Sequence, residues 1–190
     1  MKYRESGMPE EEMWESFFNP REVLINMKVD KNIRSLIDIG CGYGTFLFPA
    51  SDLVSDKVIG IDIDEKMIGI CNEKVLESRV SNIHLINGDI SKEDTIKRIQ
   101  KHKSSIDYIT LFNILHCEKP IDLLKDAYNI LSEGGMIGVI HWKYDDTPRG
   151  PSMEIRPKPS EIIGWAKEVG FSLIDEIEIL PYHFGLVFSK

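Results

Sequence analysis

Cysteine is scarce in this chain: Cys41, Cys71 and Cys117 stand far apart, without the spacing of metal ligands. That excludes a disulfide framework and gives no zinc-type pattern, so reduced thiols in a cytoplasmic protein and no resident metal are expected. Cys41 and Cys71 fall in separate predicted elements and are not expected to converge for thiol chemistry such as arsenite binding. No apolar run reaches membrane-spanning length, and Met1-Lys2-Tyr3-Arg4-Glu5 leads straight into a charged segment. Neither a spanning helix nor a secretory leader is expected. Blocks of like charge are absent too. The net charge of −8 and pI near 5.2 argue against nucleic acid or an anionic membrane as partner, since both call for a basic face. With no internal repeat and 190 residues, the chain reads as a single domain over 1–190.

What is present is an alternation of strand and helix. Strands are predicted at Arg34–Ile39, Lys57–Asp62, Asn82–Ile86, Ile106–Phe112 and Met136–Trp142, with helices near 45–54, 65–77, 91–102 and 120–132. Ile- and Val-rich strands between helices imply a parallel sheet covered on both faces. After a helix near 160–169, strands at Phe171–Leu180 and His183–Ser189 are joined only by Pro181-Tyr182. So short a link cannot cross over the sheet, so the last strand must run antiparallel. Ahead of this α/β body, Pro9–Phe18 predicts a short helix with Met13, Trp14, Phe17 and Phe18 as one apolar stripe. A second helix carries Val23, Leu24 and Met27.

The run Leu36-Ile37-Asp38-Ile39-Gly40-Cys41-Gly42-Tyr43-Gly44 is the strongest local signal. A buried strand breaking into alternating glycines presents bare backbone to a nucleotide-like ligand, where a Cβ would block both turn and ligand. Asp62 closes the next strand roughly 20 residues later, the spacing at which a carboxylate reaches ribose hydroxyls. It is equally placed to cap a helix, as is Asp64. Asp89, in Asn87-Gly88-Asp89-Ile90, follows the third strand and faces either an adenine edge or the start of a helix. Asn113, Leu115 and His116 follow the fourth strand at the same edge.

Taken together, these residues resemble the class I S-adenosylmethionine-dependent methyltransferases, of the small-molecule kind typified by the ubiquinone-biosynthesis (type 11) methyltransferase domain. The likeness runs from about Arg34 to the C-terminus. Leu131-Ser132-Glu133-Gly134-Gly135 stands where the family has Leu-Lys-Pro-Gly-Gly, with Ser132-Glu133 replacing the usual pair. The resemblance implies an α/β fold, a Rossmann-like three-layer sandwich. Its seven-stranded, mostly parallel sheet has order 3-2-1-4-5-7-6, the last strand antiparallel, under an N-terminal helical lid over 1–30. The cofactor implied is S-adenosyl-L-methionine. Asp38, Gly40, Cys41, Gly42 and Gly44 would hold its amino-acid end, and Asp62 its ribose. Asp89 would take the adenine amino group, Ile63 and Ile90 would flank the ring, and Asn113 and Leu115 would line the methionine side. Tyr3, Trp14 and Phe18 become candidate pocket residues under the lid, with core packing as the other reading.

Methyl transfer from a sulfonium needs positioning and exclusion of water, and a base only when the acceptor is a hydroxyl or a protonated amine. His116 is the candidate catalytic base, the other reading being a structural loop histidine; His141-Trp142 is a second pair. The loop over 143–159, with four prolines, emerges on the ligand side. Arg149 and Arg156, with Lys143, are candidates to bind an anionic group on a small acceptor. They could instead pair with Asp145, Asp146 and Glu154. A nicotinamide-dependent oxidoreductase shares the turn and the acid, but Thr45 leaves Gly-x-Gly-x-Gly instead of Gly-x-Gly-x-x-Gly. A cofactor-binding partner subunit without catalysis is the non-enzymatic alternative. The acceptor atom and the oligomeric state have no signature in the sequence.

Overall fold

The computed structural model describes residues 10–102 and 105–190, the side chains of residues 14 and 15 excepted. Seven strands form one sheet: β1 (Ser35–Ile39), β2 (Lys57–Asp62), β3 (Ile83–Asn87), β4 (Tyr108–Phe112), β5 (Met136–Trp142), β6 (Ser172–Ile179) and β7 (His183–Ser189), in the order β3-β2-β1-β4-β5-β7-β6. Pairing is parallel from β3 across to β5, while β7 runs antiparallel to both β5 and β6. Alternate side chains along the strands split the core in two, as a period of two requires. Ile37, Ile59 and Ile109 face one layer, and Leu36, Val58 and Tyr108 the other.

The first layer is closed by α5 (Glu93–Gln100), α6 (Pro120–Ile130) and α7 (Pro159–Val169) through Ile99, Leu124 and Ile162. The second is closed by α2 (Pro20–Asn26), α3 (Leu47–Leu53) and α4 (Glu65–Ser78) through Leu24, Leu47 and Ile68. Fully buried Tyr108 ties α2 to the sheet by donating its hydroxyl to the Met27 carbonyl at 2.5 Å.

The N-terminal region departs from the expected stripe. α1 spans only Glu11–Glu15, and Asn19 starts α2 as its N-cap with Pro20 in the first turn. The residue before a proline avoids helical backbone, so Phe17 and Phe18 lie between helices instead of on one. Met13 is exposed. Phe18 packs on Phe46 and His183, at centroid distances of 5.1 and 4.6 Å, while Phe17 meets Trp142 at 5.5 Å. This dipeptide therefore crosses the carboxyl edge of the sheet, from the loop after β1 to the ends of β5 and β7. Among the described residues, no helix is long and apolar enough to cross a membrane.

Candidate functional site

The parallel strands end together where β1 and β4 sit side by side and their connections leave in opposite directions, which is where an open α/β sheet leaves a crevice. The glycine turn fills the β1 side. Gly40, Gly42 and Gly44 all have positive φ. A Cβ on Gly40 would lie 2.9 Å from Ile114 Cγ2, and one on Gly44 would lie 2.8 Å from the Phe48 ring. Side chains are excluded by conformation and by space alike.

The turn is pinned to the end of β2. Gly40 and Cys41 donate their N–H groups to the Ile61 carbonyl, and Gly42 N donates to Asp62 Oδ2 at 2.9 Å. Asp62 Oδ1 accepts from Asp64 N at 2.9 Å. Asp64 itself caps α4 by accepting from Lys66 N. The two aspartates thus divide the roles the sequence left open: Asp64 caps, and Asp62 braces the turn. A carboxylate oxygen can accept more than one hydrogen bond, so bracing the turn is compatible with accepting a ribose hydroxyl. Asn87, which the sequence offered only as a neighbour of Asp89, holds this corner from the third strand. Its amide donates to the carbonyls of Asp62 and Ile63, both at 3.1 Å.

Asp38 is buried within β1 and accepts the Thr110 hydroxyl. Burial raises its pKa to about 6; the Thr110 bond opposes the rise and the nearby Asp62 charge adds to it. On the β4 side, Asn113 adopts φ +55, a left-handed conformation that asparagine tolerates better than most residues. Its side-chain oxygen and nitrogen are buried and meet no hydrogen-bond partner among the described residues, and the same holds for Thr45 Oγ1 beside the turn. Buried amides left without partners are rare and mark a place where a polar ligand completes the bonding. Ile63 is 38 % exposed next to Asp62 and offers an apolar face to a planar ring.

A family model described as methyltransferase domain matches residues 36–135. The chain belongs to this methyltransferase-domain family. It is 28% identical over 117 residues to a demethylmenaquinone methyltransferase of Lactococcus lactis, an alignment covering 60% of this chain and 44% of that protein. The chain spans about half the length of the curated relatives it matches. In fold it is similar to a SAM-dependent methyltransferase from Aquifex aeolicus, with TM-score 0.80, 22% identity, and coverage of 95% of this chain and 93% of that one. It is also similar to a magnesium protoporphyrin IX methyltransferase from Synechocystis solved with bound SAM. There the TM-score is 0.70 at 17% identity, covering 93% of this chain and 80% of that one.

S-adenosyl-L-methionine is the cofactor of the methyltransferase domain, and the residues present fit it. The glycine cradle, the ionisable Asp38, Asp62, the open face of Ile63 and the Asn113 amide are groups of the kinds that an amino-acid end, a ribose and a planar ring require.

Several predicted residues take other places. Leu115 is fully buried in the core; its neighbour Ile114 is the side chain that overlies Gly40. Ile90 is also a core residue. Asp89 Oδ1 accepts from both the backbone and the hydroxyl of Ser91, so it organises the turn ahead of α5. The cysteines do converge, contrary to expectation. Cys71 donates to the Gly42 carbonyl at 3.2 Å and hydrogen-bonds Cys41, because α4 packs directly against the turn. That bond, burial and the Asp38 charge push the Cys41 thiol well above its ordinary pKa, which disfavours Cys41 as a nucleophile. Tyr3 lies outside the described residues, as does the side chain of Trp14.

On the acceptor side, Trp142 is buried, not open. Phe17 packs on it, His183 lies 4.2 Å from it, and a Cβ on Gly150 (φ +108) would sit 2.7 Å from its Cδ2. Arg156 corrects the expected anion trio. Its guanidinium is buried and donates to the carbonyls of Lys143, Asp145, Arg149 and Pro151 and to the Thr147 hydroxyl, at 2.8–3.4 Å. All five N–H groups are engaged, so none remains for a substrate. Lys143 pairs with Glu178 at 2.8 Å. Arg149 is exposed and makes no ion pair among the described residues. His116 is buried with Nδ1 3.4 Å from His141 Nε2.

Proposed function

We propose that this chain transfers the methyl group of S-adenosyl-L-methionine to a small-molecule acceptor held at the carboxyl edge of β4 and β5. The observation that carries the reading is the Asp62 carboxylate bonded to Gly42 N at the end of β2, with the Asn113 amide, unpartnered among the described residues, across β1 after β4. It joins a ribose acceptor, a bare-backbone cradle and an unfilled polar group in one crevice. Bound there, the cofactor supplies an electrophilic methyl on a sulfonium whose leaving group is a neutral thioether.

The chain's own residues then have limited tasks. Asp38 offers a carboxylate to an ammonium group, and the Asn113 amide gains its missing partners from the amino-acid end. Phe17, Phe18 and Phe46 exclude water above the crevice, which supports a lid role for the segment before β1. Lys74 reinforces that placement by donating to both Glu11 of α1 and the Tyr43 carbonyl in the turn. Arg149 is the side chain for an anionic group on the acceptor. It lines a hollow of about 340 Å³ in the 143–159 loop with Thr147 and Ser152, across from Asp145 and Asp146, which restrict the hollow to an anion that Arg149 itself engages. The acidic balance of the chain supports a small acceptor over nucleic acid, and a cytoplasmic setting accords with three buried thiols that form no disulfide.

Titration calorimetry with S-adenosylmethionine, S-adenosylhomocysteine and NADH tests the reading. The first two are expected to bind and NADH is not; binding of NADH alone would overturn it.

A further inference from the structure

Lys74 is carried by α4, and its ammonium joins two parts of the chain at once. It donates to the Glu11 carboxylate of α1 and, at 2.9 Å, to the Tyr43 carbonyl inside the glycine turn. That carbonyl belongs to the peptide entering Gly44, one of the left-handed residues of the turn. The acidic start of α1 sits by the same turn. Burial, followed by the charges of Glu10, Glu11 and Asp64, raises the Tyr43 hydroxyl above its ordinary pKa.

α1 has five residues, far below the length at which a helix holds itself together in water. Met13 on it is exposed, and among the described residues Glu11–Lys74 is the ion pair that fastens it to the α/β body. The chain that follows decides what this fastening controls. Phe18 packs on Phe46 at 5.1 Å, and Phe17 packs on Trp142 and Tyr182 at 5.5 and 5.9 Å. Residues 11–18 thus run as one strap from α4, past the glycine turn, to the ends of β5 and β7. At this edge the Asn113 amide atoms are buried, so a ligand reaches them only after a covering element moves. The two side chains of the ion pair are 31 % and 32 % exposed. A pair so open to water is weak enough to break and re-form readily.

We propose that Lys74 gates cofactor exchange: its ion pair with Glu11 holds the strap down across the crevice, and its bond to the Tyr43 carbonyl ties that closure to the glycine turn. The cofactor and its product then pass only while the pair is open. The proposal rests on the methyltransferase reading for the identity of the ligand alone. Because the pair forms with the crevice empty or filled, its loss speeds entry and exit alike and leaves the equilibrium nearly unchanged.

Stopped-flow mixing of the full chain with S-adenosylhomocysteine reads both rate constants, and this ligand has no sulfonium charge through which salt could steer it. Glu11→Gln cuts the ion pair and leaves the Tyr43 bond. In that variant association and dissociation are each expected to rise about fivefold, with Kd changed by less than about twofold. Lys74→Arg is expected to keep the rates of the unaltered protein. Raising potassium chloride from about 0.05 to about 0.5 M is expected to speed exchange in the unaltered protein and not in Glu11→Gln. Unchanged rates in Glu11→Gln, a salt response that survives in it, or a raised Kd with unchanged association would each overturn the gate. Hydrogen–deuterium exchange over residues 10–19, measured without ligand, is expected to quicken about twofold or more in Glu11→Gln. Unaltered exchange there would overturn the latch, whereas failure of the unaltered protein to bind S-adenosylhomocysteine would overturn the methyltransferase reading instead.

Discussion

The Thr110 hydroxyl donates to Asp38 Oδ1 at 2.6 Å across the β1–β4 pair, where the two residues are direct register partners. This is the side-chain bond recorded for a carboxylate whose burial pushes its pKa up to about 6. An acid with a raised folded pKa favours the folded state while protonated. That stabilisation is full below about 4 and is lost as pH rises through about 6. Asp38→Asn is therefore expected to stabilise the free protein at pH 7 by about 1–3 kcal/mol, read as a higher Tm. The same variant is expected to lose S-adenosylmethionine binding in calorimetry. In the unaltered protein, affinity for the cationic ammonium of the cofactor is expected to fall about tenfold per pH unit below about 6.

Asn87 offers a cleaner separation of binding from folding. Its amide holds the two carbonyls that carry Asp62 and Ile63 into the crevice. Asn87→Ala removes both bonds at a half-exposed corner, so the Tm is expected to move little. The calorimetric Kd for S-adenosylmethionine is expected to rise about threefold to tenfold, corresponding to about 1 kcal/mol of lost positioning.

The two arginines of the 143–159 loop should behave in opposite ways. Arg149→Glu is expected to leave the Tm unchanged and to raise the acceptor KM about tenfold, with S-adenosylmethionine binding intact. An unchanged KM would remove Arg149 from the acceptor site.

Arg156→Ala, by contrast, leaves several loop carbonyls without their donor. It is expected to cost about 2 kcal/mol or more and to open residues 143–159 to limited proteolysis. Arg156→Lys should rescue little, because a single ammonium cannot match a planar fork that reaches five acceptors.

The fold was legible wherever apolar periodicity spoke. β2, β5 and β7 begin and end at the residues expected, and the antiparallel last strand followed from the two-residue link alone. Other boundaries moved for local reasons. α5 starts at Glu93 instead of residue 91 because Ser91 is bound by Asp89. α1 stops at Glu15 because Asn19-Pro20 begins another helix. Within the site, Asp38, Asp62 and the glycines stood out since each occupies a strand end or a turn that only certain residues satisfy. Asn87 carried no such mark, and Arg156 and His141 stood out for roles other than the contacts they make. Their partners are backbone groups or rings brought close by the fold: Asp62 O lies 25 positions from Asn87 in the chain, and His116 lies 25 from His141. Leu115 was misread because its neighbour Ile114, and not Leu115, is turned toward Gly40.

The 143–159 loop contains Asp145, Asp146 and Glu154, yet Arg156 spends its donors on peptide carbonyls and one hydroxyl. Charge-to-dipole bonds of this kind involve no carboxylate that titrates, and at a buried guanidinium they are poorly reached by dissolved ions. The shape of this loop is therefore indifferent to molar salt, which screens the Lys143–Glu178 pair beside it.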